Sequence, residues 1–165
     1  MAVEVYRGIT EVGHVDNGTD VPWGKTSEDG ITISHNVTRE QLFSGQDLAP
    51  VDDTITRVEA SVTFRLIEAS LQNIARVLGL PTTAISGTGP TAVLTVLADE
   101  LGTEEFHLYA IQPGPNGPRR FDFLRAKVGQ PGDLNVSKAA WMLPESTFTL
   151  LVDDAGQLWK LGPAA

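Results

Sequence analysis

The chain contains no cysteine. A disulfide framework, a zinc ribbon and thiol chemistry are therefore excluded, and the redox compartment cannot be read. Basic residues are few: 12 Lys and Arg stand against 21 Asp and Glu, for a net charge of −9. That balance argues against a basic clamp on nucleic acid, which needs Lys and Arg against phosphate. It does not exclude a surface that nucleic acid must pass without sticking. Long apolar runs are also missing, and none approaches the roughly 18 residues of a membrane-spanning helix. The opening Met1-Ala2-Val3-Glu4-Val5-Tyr6-Arg7 has neither the basic nor the apolar region of a secretory signal. We expect the chain to be made in the cytosol and to stay there at first.

What is present suffices for one domain. At 165 residues and 41% hydrophobic content, a self-standing core is expected and wholesale disorder is not. We divide the single domain, 1–165, into an N-terminal strand and loop (1–30), a strand–loop–strand–helix segment (31–80) and the remaining strands (91–161). Residues 1–30 carry Gly, Asp and Asn at close intervals, which predicts a short strand at Val3–Ile9 followed by turns and a long loop.

The segment from Gly30 to Leu80 is the most regular. Ile31, Ile33, His35 and Val37 alternate with Thr32, Ser34, Asn36 and Thr38, the period of a strand wet on one face. The pattern slips near Arg39, which predicts a bulge or the strand end. From Ile55 to Leu66 a second strand sets Val58, Ala60, Val62, Phe64 and Leu66 against Arg57, Glu59, Ser61, Thr63 and Arg65. Ile67, Leu71, Ile74, Ala75 and Leu78 then follow helical spacing, and Gly79 and Pro81 end the helix. This helix is expected to lie on the apolar face of the sheet, packing through Val58, Val62, Phe64, Ile67, Leu71, Ile74 and Leu78. After a polar linker, Pro81–Pro90, further strands are expected at Thr91–Ala98, Glu105–Gln112, Arg120–Val128, Leu134–Leu143, Ser146–Val152 and Gln157–Leu161. Asp153-Asp154-Ala155-Gly156 reads as a hairpin turn between the last two. The fold class is mainly β with one helix, an antiparallel sandwich or barrel.

The motif search is mostly negative. Gly24-Lys25-Thr26 has five residues after Gly18 where a phosphate-binding loop needs four. Gly87-Thr88-Gly89-Pro90 lacks a backbone amide at Pro90 and a surrounding βαβ unit. His14, His35 and His107 stand singly, without ligand spacing. Asp52-Asp53 and Asp153-Asp154 lack the spacing of a calcium loop. Ser86 has Ala84 where a nucleophile elbow needs glycine. The acceptor patterns at Asn17, Asn36 and Asn135 are chance matches without a secretory signal. No cofactor, metal or catalytic group is expected. Arg119-Arg120 with Phe121 and Phe123 is the one basic-aromatic cluster, and it fits either a subunit contact or core plus surface.

Two stretches carry a resemblance. Gly30-Ile31-Thr32-Ile33-Ser34 through Gly45-Gln46-Asp47-Leu48-Ala49-Pro50-Val51-Asp52, with its continuation Arg57 to Ala75, resembles the tail tube proteins of long-tailed bacteriophages. Ser146 to Leu161 is similar to the closing hairpin of that family. About half the chain is covered, chiefly 30–80 and 140–161. The resemblance implies hexameric rings stacked into a hollow tube in the tail of a virion, assembled in the host cytoplasm. Each subunit would lend strands to a continuous β-barrel around a lumen through which viral DNA passes without sequence-specific binding. On that mapping Thr32, Ser34, Asn36, Thr38, Arg57, Glu59, Ser61, Thr63 and Arg65 line the lumen. Gly45, Gln46, Asp47, Pro50, Asp52 and Asp53 reach a neighbouring ring. Other partners would be the tape measure, terminator and distal tail or baseplate proteins, with no membrane. Lumens of the family are usually acidic, whereas these rows hold Glu59 against Arg57 and Arg65, so acidic excess must come from Glu40 or the Asp-rich loops. The alternatives are a single-ring tail terminator or baseplate component and, from another class, a carbohydrate-binding β-sandwich. The latter would need exposed aromatics on one face, and Trp23, Trp141 and Trp159 are spread apart.

Overall fold

A computed structural model of the chain describes residues 10–46, 48–136 and 141–164, with the side chains of Trp141 and Met142 outside that description. The expected strand at Val3–Ile9 lies outside the described residues. In chain order the elements are β1 (Glu11–Asp16), β2 (Thr19–Leu42), β3 (Asp52–Leu66), α1 (Leu71–Val77), β4 (Ile85–Ser86), β5 (Val93–Leu94), β6 (Glu105–Gln112), β7 (Arg119–Gln130), β8 (Asn135–Val136), β9 (Trp141–Met142), β10 (Ser146–Leu150) and β11 (Lys160–Pro163). The protein is mainly β with one α-helix among the described residues, built on a large antiparallel sheet.

Residues 11–30 are strand, not the long loop that their glycines predict. Asn17 and Gly18 both take positive φ, 49° and 80°, which matches the twist of a two-residue hairpin turn. The turn folds β2 back on β1 with Asp16 opposite Thr19. β2 then runs for 24 residues. Its first part pairs with β1, and from Thr26 onward it pairs with β3. The slip expected near Arg39 is a bulge: Thr38 faces Arg57 and Arg39 faces Ile55, leaving Thr56 as the extra residue.

Seven strands form one sheet in the order β10-β3-β2-β1-β6-β7-β11, and β10 also pairs with β7. The pairings β3-β2-β1-β6-β7-β10-β3 therefore return on themselves, every one antiparallel. Inside lies the core, centred on Trp23, which is 2% exposed. Phe106 meets it edge-on at 5.2 Å, and Phe64 and Phe148 stack on each other at 5.3 Å beside it. Trp23 thus belongs to the interior and not to a loop between turns.

The helix is shorter than expected. Ser70 caps it, accepting the Asn73 amide at 3.1 Å. Ile67 lies just past the end of β3 and outside the helix, its amide donating to Lys25 O at 3.1 Å, and its side chain is exposed. Ile74 and Val77 enter the core with Val62 and Phe64, Leu78 packs at its margin, and Leu71 is only half-buried. Val58 is exposed because it lies beyond Ala60, the last residue of β3 that pairs with β10. Gly79 ends the helix at φ 65°, and a Cβ there would come within 2.8 Å of Gly102 Cα.

Other boundaries differ too. Pro81–Pro90 holds a 3-10 turn at Thr82–Ala84 and the short β4, and Thr91–Ala98 is reduced to β5, which pairs with β4. Leu134–Leu143 contributes only β8 and β9, paired with each other. β6 spans the expected Glu105–Gln112. The closing segment is not a hairpin. β10 and β11 follow one another along the same edge of β7, opposite Ala126–Gln130 and Arg119–Asp122 respectively. The Asp153–Gly156 turn, in which Asp153 Oδ1 accepts the Ala155 and Gln157 amides, closes a loop between these collinear pieces.

Candidate assembly surface

β2 and β3 outrun the sheet that holds them. β3 pairs with β10 from Phe64 to Ala60, whereas β2 and β3 continue together to Leu42 and Asp52. From Asn36 to Leu42 the pair is a free-standing ribbon about 23 Å long at 3.3 Å per residue. Its tip closes through the Val51 amide donating to Leu42 O at 2.8 Å. Every described residue from His35 to Glu59 is exposed. The ribbon leaves Val37, Leu42, Phe43, Leu48, Val51, Ile55 and Val58 in water, with Phe43 at 59% and Leu48 fully exposed. Gly45, Gln46, Pro50, Asp52 and Asp53 sit at this tip, exposed; Asp47 lies outside the described residues.

The register brings most of the expected polar rows together on one outward face. Thr32 stands opposite Thr63, Ser34 opposite Ser61, Asn36 opposite Glu59 and Thr38 opposite Arg57. β10 widens this face, since Thr147 and Thr149 stand opposite Thr63 and Ser61, and the Thr63 and Thr147 hydroxyls are 3.0 Å apart. Arg65, also exposed, lies just past these pairs, where the β2–β3 register shifts. Arg57 and Glu59 form an ion pair with each other, and Asn36 Nδ2 donates to Glu59 at 3.5 Å. The face therefore carries little net charge, in keeping with rows that hold Glu59 against Arg57 and Arg65. By alternation along β2, Glu40 continues the face up the ribbon. The opposite face is capped at its base by Trp159, whose indole N–H donates to His35 Nε2 at 2.9 Å.

The Arg120 cluster is an internal clamp. Its guanidinium lies 4.5 Å over the Tyr109 ring, donates twice to the Asp20 carboxylate at 2.5 and 3.0 Å, and reaches Asp122 at 3.0 Å. These bonds hold the Asp20 carboxyl below its usual range and push the guanidinium up, while burial raises the Tyr109 phenol. Phe123 is core and Phe121 packs against it. Trp23 is buried and Trp159 is packed, so neither supplies an exposed aromatic platform for sugar.

Two residues had no sequence signal of their own. Asn73, 1% exposed, donates to Trp23 O at 2.7 Å and Glu68 O at 3.0 Å, tying the helix to β2. His14 Nδ1 accepts the Trp23 indole N–H at 2.7 Å, which puts the imidazole proton on Nε2. Burial, with Arg76 nearby, lowers the His14 pKa and keeps it neutral. Among the described residues no helix is long and apolar enough to cross a membrane, and no three His, Asp or Glu gather as a metal site requires. Compared with known proteins, the chain matches no family model and no curated sequence.

Proposed function

We propose that the chain is a self-assembling structural subunit of a bacteriophage tail, stacking as hexameric rings into the hollow tube that conducts DNA into the host. The ribbon formed by the far halves of β2 and β3 carries this reading. It leaves seven large apolar side chains in water, and both of its edges are unpaired among the described residues. Contiguous exposed apolar surface and open strand edges are liabilities in a monomer and contacts in an assembly. The closed order of strand pairing supports a barrel-like subunit whose core is complete without a neighbour. The outward Thr- and Ser-rich face supports a wet lumen wall, with hydroxyls where strong cationic binding to phosphate would stop DNA from sliding.

Other contacts would be with the tape measure, terminator and distal tail or baseplate proteins, and the site of action would be the virion, after assembly in the host cytoplasm. A ribbon projecting from one end favours stacking over the single ring of a terminator or baseplate component. Electron microscopy of the purified protein is the test. Rings or tubes with a central hole are expected, and a strictly monomeric species at high concentration overturns the proposal.

A further inference from the structure

A cavity of about 600 Å³ opens at the end of the sheet opposite the ribbon. Strand direction fixes this. β2 runs toward the ribbon, β1 is antiparallel to β2, and β6 is antiparallel to β1. Asp16, where β1 ends, and Glu105, where β6 begins, therefore mark the far end, and both line the cavity. Its apolar wall comes from Ala75, Leu80, Ile85 and Phe106. Its size lies within the roughly 300–1,000 Å³ of pockets that enclose small organic ligands, enough for a few side chains.

Arg76 is the one Arg or Lys in its lining, which also holds His14 and His107. The guanidinium is partly buried, lies 5.5 Å over the Trp23 ring and donates to Asn73 Oδ1 at 3.0 Å, a neutral acceptor. Burial lowers its pKa, and among the described residues no carboxylate pairs with it. A sheltered charge of this kind is stabilised by an incoming anion. The ribbon tip has the matching chemistry. Leu42, Phe43, Leu48 and Val51 are exposed apolar groups there, and Glu40, Asp52 and Asp53 are acidic. The Asp53 carboxylate is held by Arg39 at 2.7 Å, whereas Asp52, among the described residues, accepts the Asp53 amide alone, at 2.8 Å.

We propose that this cavity is the socket for the ribbon tip of a second copy of the chain, with Leu48 and Phe43 against its apolar wall and Asp52 at Arg76. The proposal rests on the assembly reading above and adds the partner surface. Because tip and socket lie at opposite ends of one subunit, the contact is head-to-tail and extends along an axis instead of closing into a pair. Asp16, Glu104 and Glu105 also line the cavity, Glu105 already paired with Arg125 at 2.7 Å, so the carboxylate must enter on the helix side.

The cysteine-free chain allows a direct test. A double variant, Leu48→Cys with Thr82→Cys on the exposed rim of the cavity, is assembled and then oxidised. A covalent ladder of many subunits is expected on a denaturing gel, with no ladder from either single variant. Arg76→Glu should raise the protein concentration needed for assembly by about tenfold or more, and adding Asp52→Arg should restore it; thermal unfolding of the unassembled variants checks that they remain folded. Tubes from the double variant without a ladder overturn the socket, as they would if the cavity takes a small molecule instead, and leave the tube reading standing. Absence of rings or tubes in the unaltered protein overturns the tube reading itself.

Discussion

β2 and β3 each live in two environments. In the lower half, Leu66, Phe64, Val62 and Ala60 point one after another into the core, none more than 4% exposed. One step further along the same side of β3, Val58 is 49% exposed. Nothing in the alternation changes between Val62 and Val58. What changes is the surroundings: the neighbouring strand β10 stops pairing at Ala60, and the aromatic cluster around Trp23 ends below it. An apolar row states which side a strand turns inward, and the rest of the fold decides whether anything is there to meet it. Where nothing is, the row is a demand for a partner.

The strongest way to break this contrast is to truncate the largest residue of each half. Trp23→Ala should lower stability by about 3–5 kcal/mol, read as the denaturant midpoint of the monomer. Phe43→Ala, in the ribbon, should leave that midpoint within about 0.5 kcal/mol and weaken assembly, read by microscopy or sedimentation. Equal losses of monomer stability would mean that the ribbon folds back on its own subunit. A finer cut uses one residue type on one face. Val62→Ala should cost about 2 kcal/mol through the lost methyl groups and the cavity left behind. Val58→Ala should cost less than about 0.5 kcal/mol in the monomer.

How much of this was legible depends on how local each cause is. The faces of β3 follow from alternation over a dozen residues, and the bulge at Thr38–Arg39 from its local failure. β6 was readable to the residue for the same reason. Residues 11–30 read as loop because Gly13, Pro22, Gly24 and Gly30 look like loop markers. Asn17-Gly18 between Val15 and Val21 was the hairpin signal that outranked them. The closing segment shows the opposite limit. Its turn at Asp153–Gly156 was local and readable, but the choice of β7 as partner for both β10 and β11 is not written near either. The polar rows of the candidate surface were readable, since they need only the strand period. The exposure of the ribbon was not, because it depends on where β10 ends. Nor was the socket, whose lining comes from β1, α1, the 80–85 stretch and the start of β6.

The smallest expected effect separates the ion pairs of the two halves. Asp20 in the lower half accepts two bonds from an Arg120 that is itself clamped on Tyr109 and Asp122. Asp53 in the ribbon meets Arg39 in a single contact exposed on both sides. The Asp20 carboxyl has a lowered pKa in the folded protein, so the folded state holds the charged form better than the unfolded chain does. Its contribution is fully present above the unfolded value of about 3.9 and fades as pH falls through the lower folded value. The carboxylate is 44% exposed, so solvent screening limits the contribution to about 1 kcal/mol or less. Asp20→Asn should therefore cost that amount at pH 7 and flatten the fall in monomer stability between about pH 5 and pH 3, the range in which protonation of Asp20 takes hold. Asp53→Asn should change stability at pH 7 by no more than about 0.5 kcal/mol. Two parallel stability–pH curves for Asp20→Asn and the unaltered protein would mean that the clamp does not hold in solution. The lower half would then owe its rigidity to the aromatic core alone.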